Sequence, residues 1–146
     1  MSAPQSFKNH TRFDPPFHFT LMPLLLLNFG FSIYIAIHHW PEHPHLHLWW
    51  IVMAVVFILI AGNGRGSALK AQDRIIRLEE RLRLTALLPA DEHHLIAKLE
   101  PRQFIALRFA SDDELPALTR QAVAQNLDPK AIKQSIVNWR PDHNRV

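Results

Sequence analysis

The chain of 146 residues contains no cysteine. Disulfides, thiolate zinc sites, iron–sulfur clusters and thiol nucleophiles are therefore excluded, and any metal would have to be held by imidazole and carboxylate. Glycine is scarce, at four residues. Three of these, Gly62, Gly64 and Gly66, stand close together but lack the preceding strand and the Lys-Ser/Thr of a phosphate loop. No G-x-S-x-G elbow and no H-E-x-x-H helix occurs. The acidic run Asp112-Asp113-Glu114 follows Ser111 and reads as a capping box opening a helix, which needs no metal. His93 and His94 are adjacent, and neighbours on a helix point about 100° apart, so they cannot face one ion. An enzyme is not expected.

Charge is also absent over a long stretch. Residues 17–62 carry no Lys or Arg and a single acid, Glu42. Of the sixteen basic residues only Lys8 and Arg12 precede this stretch. The net charge of +3 comes from basic residues interleaved with acids, not from a one-sign patch, so no nucleic-acid partner is expected.

What fills the uncharged stretch is apolar. Residues 19–37 and 48–62 are two long hydrophobic runs. At about 1.5 Å per residue the first reaches roughly 28 Å, close to the hydrocarbon thickness of a bilayer. The second reaches only roughly 22 Å, so its span begins near His45 or extends past Gly62. The pattern predicts transmembrane helices over 19–38 and 48–64. They are preceded by an interfacial segment at 1–18, in which Asp14 or a neighbour caps the first helix, and joined by an outer loop at 39–47. The basic flanks place both termini in the cytoplasm and the loop outside.

Polar and small residues within the spans mark packing positions. Asn28 falls near the bilayer centre, where an unpaired amide is costly, and calls for a partner helix. Ser32 with Ala36, and Gly62 with Gly66, are small-xxx-small pairs suited to close helix contact. Tyr34 and Ser32, with Asn28, could line a path only in an oligomer, the weaker transporter or channel reading.

The loop HHWPEHPHLH at 38–47 holds five of the ten histidines. Pro41 and Pro44 favour extended backbone, in which His43, His45 and His47 would share one side and could reach a Zn or Cu ion. A metal-binding or pH-sensing membrane protein is therefore an alternative function. The other reading makes these histidines amphipathic fillers of a tight turn flanked by Trp40, Trp49 and Trp50 at headgroup depth.

Beyond the spans, residues 65–88 read as a cytoplasmic amphipathic helix. Ala68, Ala71, Ile75, Leu78 and Leu82 form a coiled-coil-like oligomer seam of about two heptads, with Asp73–Arg77 and Glu79–Arg83 as i,i+4 pairs. Residues 89–146 read as a module of three or four short helices: 90–100, from Pro101, from the 111–114 box to about Asn126, and from Asp128-Pro129. In the last helix Ile132, Ile136 and Trp139 would share a face until Pro141 stops it. A module this small needs support from the 65–88 helix, a sister subunit or another protein.

The pieces KNHTRFDPPFHF at 8–19, RIIRLEERLRL at 74–84 and the run 106–146, with the spans between, resemble a bacterial family of small two-span membrane proteins. That family is defined only as a domain of unknown function and is sometimes labelled a transporter permease. The resemblance implies a multi-pass protein of the bacterial inner (cytoplasmic) membrane. The expectation is an all-α membrane protein, a helical hairpin followed by an amphipathic helix and a short-helix bundle. It would act as a non-enzymatic accessory or scaffolding subunit without a cofactor, its partners being lipid bilayer and a homo-oligomer or larger membrane complex.

Overall fold

The computed structural model describes residues 6–7 and 14–142. The expectations that rest on residues 1–5, 8–13 and 143–146, including most of the 1–18 segment, lie outside the described residues. Every regular element among the described residues is helical, and the chain divides into two compact units, Arg12–Leu69 and Lys70–Val146 with Met1–Thr11.

The first unit is a helical hairpin. A π-helical turn, Pro16–Leu21, leads into α1, Met22–His39. The wide turn lies just before Pro23, which has no N–H to donate and whose ring would strike the carbonyl four residues back in a regular α-helix. Asp14 does not cap this helix; its carboxylate instead pairs with Arg65 at 3.1 Å. Residues 40–43 turn the chain, and α2 runs unbroken from Pro44 to Leu87. Both Pro16–His39 and Pro44–Leu87 are long and apolar enough to cross a membrane.

Three sequence boundaries change. The helix preceding the turn begins at Pro16, not residue 19. The loop shrinks to 40–43, and the expected division between a 48–64 span and a 65–88 helix disappears. Glycines inside a helix each cost about 1 kcal/mol, but Gly62, Gly64 and Gly66 lie in mid-helix with ladder bonds intact on either side, and that cost does not break it.

In the second unit, α2 leads after Leu87 into a short-helix module. A 3₁₀ turn, Ala90–Glu92, and α3, His94–Lys98, stand where one helix over 90–100 was expected. Then follow α4, Pro101–Leu107; α5, Leu115–Ala124; and α6, Pro129–Ser135. The core gathers Leu84 from the end of α2 and Leu88 just beyond it with Phe104, Leu107, Phe109, Leu115, Leu118 and Ile132. The module thus leans on the 65–88 segment as its small size requires.

Local chemistry places the ends. Asp128 caps α6 as expected, its Oδ1 accepting from Ala131 N. Asn126, at φ 48°, sits after α5 in the left-handed region, and Leu127 N donates to Ala122 O at 3.0 Å, a Schellman closure that asparagine tolerates. Three expectations fail here. No side chain caps α5; Glu114 instead turns its carboxylate to the N–H groups of Val137 (3.2 Å) and Asn138 (2.8 Å). The last helix stops at Ser135, well before Pro141. Trp139 reaches the core from an antiparallel bridge with Ala110, not from a helical face.

Gln103 ties two elements together. Its Oε1 accepts from Glu100 N at 2.8 Å, and its Nε2 donates to Leu127 O at 2.9 Å, with the residue buried. Gln103→Ala orphans two backbone groups and should cost the module about 2 kcal/mol, measurable as a lowered denaturation midpoint.

Candidate functional site

The histidine-rich turn does not have the geometry expected of it. His45 and His47 lie in the first turn of α2, so the extended backbone that would align them with His43 is absent. Proline at the first helical position explains the difference: Pro44 presets helical φ and starts the helix instead of holding an extended strand. His47 Nε2 donates to His39 O at 3.0 Å, and His38 Nδ1 to Tyr34 O at 2.9 Å. The rings of His43 and His45 stand 6.5 Å apart. Among the described residues no group of three or more His, Asp or Glu side chains is placed to hold a metal ion. The turn is pinned by backbone contacts, and Trp40, Trp49 and Trp50 around it are exposed.

Within the hairpin, Ser32 and Ala36 on α1 and Ala54 on α2 are buried. Small side chains allow close backbone approach, and Ser32 Oγ satisfies itself by donating to Asn28 O at 2.8 Å. At the opposite end from the turn, Arg65 pairs with Asp14 and lies over the Phe17 ring. Ser32 and Ala36 are thus covered within the described residues, whereas Gly62 is exposed and Gly66 half-buried among them. A Cβ at either glycine would meet nothing within 4 Å. Gly62→Ala and Gly66→Ala should each stabilise α2, by about 1 kcal/mol, with hydrogen exchange across 58–70 as the readout. Asn28 is exposed, and no hydrogen bond reaches its amide among the described residues.

A polar cluster in the second unit was not foreseen. Glu80 and Arg83 sit on α2 with side chains only 5% and 11% exposed. Arg83 donates from Nη1 to Glu80 Oε2 (3.1 Å), from Nε to Asp112 Oδ1 (2.6 Å) and from Nη2 to Ala110 O (2.7 Å). Arg140 approaches Glu80 at 3.9 Å. Burial pushes the Glu80 carboxyl above the usual carboxylate range, against the pull of the Arg83 guanidinium. The expected Glu79–Arg83 pair is not made, because Arg83 turns toward Glu80 and Asp112. Asp73–Arg77 is not made either among the described residues. The signal was present: Ile76, Glu80 and Leu84 recur at i, i+4, and all three are buried. Beside the cluster an open cleft of about 550 Å³ is lined by Ser6, Ser111, Asp112, Val137, Asn138, Trp139 and Arg140.

The opposite face of the same helix is left uncovered. Ile75, Leu78 and Leu82 are 57%, 60% and 64% exposed, and Ala71 is exposed beside them. Ala68 is half-buried. The seam residues do share a stripe, and the other side is the buried one, with Ile76, Glu80 and Leu84, of which Leu84 joins the module core and Glu80 faces Arg140.

The whole chain, residues 1–146, matches the model of a family of unknown function, DUF6526. The chain belongs to this family. No curated protein matches this DUF6526 chain, and no solved structure does. The described residues of the DUF6526 chain expose an apolar hairpin, an apolar stripe on α2, and a cleft beside a buried ion-pair cluster.

Proposed function

We propose that this DUF6526 protein is a non-enzymatic, membrane-anchored subunit that assembles with itself or within a larger membrane complex. The stripe Ala71, Ile75, Leu78 and Leu82 carries this reading. Large apolar side chains half or more exposed along a helix whose other face is buried mark an interaction surface. Asn28 supports it, since an exposed amide inside an apolar helix calls for a neighbour that can bond it.

In this reading α1 and the apolar part of α2 form a two-pass anchor in the bacterial inner membrane. The basic residues beyond Asn63 keep both termini on the cytoplasmic side. The test is native mass spectrometry or cross-linking of the full chain in mild detergent. Oligomers or a co-purifying complex are expected, and a monomer that brings nothing with it would overturn the proposal. Leu82→Ala should weaken assembly severalfold while changing the protomer's own stability by less than about 0.5 kcal/mol, because the side chain is already in solvent.

A further inference from the structure

Resting on that reading and naming its partner, we infer that the α2 stripe is the seam of a parallel two-stranded coiled coil between two copies of this chain. The stripe follows the heptad: Ala71 at d, Ile75 at a, Leu78 at d and Leu82 at a. A β-branched residue at a followed by leucine at d favours two strands in parallel. Two copies inserted in a membrane in the same sense bring their α2 helices together in parallel.

Charge complementarity selects a second copy of this chain. Arg74 occupies the g position beside the seam, and Glu79 the e position of the next heptad. In a parallel dimer g of one helix faces that e of the other, so Arg74 of each protomer meets Glu79 of its partner. The two-fold axis makes this contact twice, as a self-complementary interface requires. Both residues are exposed, and neither has an ion-pair partner among the described residues. Arg83, which could have neutralised Glu79, is committed to Glu80, Asp112 and Ala110 O. Two heptads are a short seam, and tethering to a shared membrane supplies the high local concentration that it needs.

The absence of cysteine makes the test direct, since each introduced thiol is the only one in the chain. In the full-length protein in native-like membranes, oxidation should join Ile75→Cys, Leu78→Cys and Leu82→Cys into disulfide dimers. The exposed controls Lys70→Cys and Asp73→Cys, off the seam, should stay largely monomeric. Arg74→Glu and Glu79→Arg should each lower the dimer fraction severalfold, and the double variant R74E/E79R should restore it. Unlinked seam variants, controls linking as fast as the seam, or no rescue by the double variant would each overturn the register. If the protein still forms oligomers or brings down a complex in those cases, the assembly reading stands without this interface; a monomer that brings nothing with it removes both.

Discussion

Phe109→Ala should unfold the C-terminal module while leaving the hairpin helices intact. Phe109 is fully buried, its ring 5.1 Å from that of Trp139, with the Arg108 guanidinium 4.5 Å from its centroid and Lys133 Nζ 5.6 Å away. It joins α4 to the returning C-terminal segment, where Arg140 N donates to its carbonyl oxygen at 2.7 Å. Truncating a buried phenylalanine costs about 3–5 kcal/mol, through lost transfer energy and the cavity left behind. A small core of this kind supplies no more than about that amount in total. Hydrogen exchange on the full-length protein should show peptides across 94–135 losing protection, with 22–39 unchanged. Retained protection in the module would show that the core does not depend on this ring.

Arg83→Ala is the second large expected loss, about 3 kcal/mol. The substitution removes three hydrogen bonds at once and leaves Glu80 buried with only the distant Arg140 for company. It should also change the pH dependence. Burial already raises the folded-state pKa of Glu80 above the ordinary carboxylate value, so the folded state holds that proton more tightly than the unfolded one. Stability contributed at this site therefore falls as pH rises from the ordinary carboxylate value to the raised one, and is regained on acidification through the same window. Removing the Arg83 charge raises the Glu80 pKa further and extends the window upward. Glu80→Gln, which cannot ionise, should flatten this slope, and denaturation midpoints across the mildly acidic range would measure both effects. An identical pH profile in Arg83→Ala and the wild type would show that Arg83 does not govern Glu80.

Much of the helix pattern was legible because its signals are local. Asp128-Pro129 announces a helix start that needs only Ala131 N three residues on. The stripe of Ile75, Leu78 and Leu82 follows from periodicity alone. Helix continuity was not legible through Gly62, Gly64 and Gly66, because their cost is about 1 kcal/mol each, too small to break a long helix. The outer turn is ambiguous in sequence for a different reason. Proline favours extended backbone before it but starts a helix at the first helical position, and only the turn at 40–43 decides which role Pro44 takes.

Partner choice was the least legible. Arg83 has Glu79 four residues back and Glu80 three back, and helical spacing permits either. Asp112 and the Ala110 carbonyl decide it, and both arrive from distant sequence. The same holds for Glu114, whose carboxylate leaves the helix start for the amides of residues 137 and 138.

By itself the sequence determined composition-level facts: no thiol chemistry, two uncharged apolar runs, and the heptad of the α2 stripe. Each of these depends on residue identity and short spacing. Tertiary structure alone decided which face of α2 the module covers and which ions pair, because both depend on contacts between residues far apart in the chain. Burying Ile76, Glu80 and Leu84 is what leaves Ile75, Leu78 and Leu82 in solvent, with Glu79 lacking an ion-pair partner among the described residues beside them.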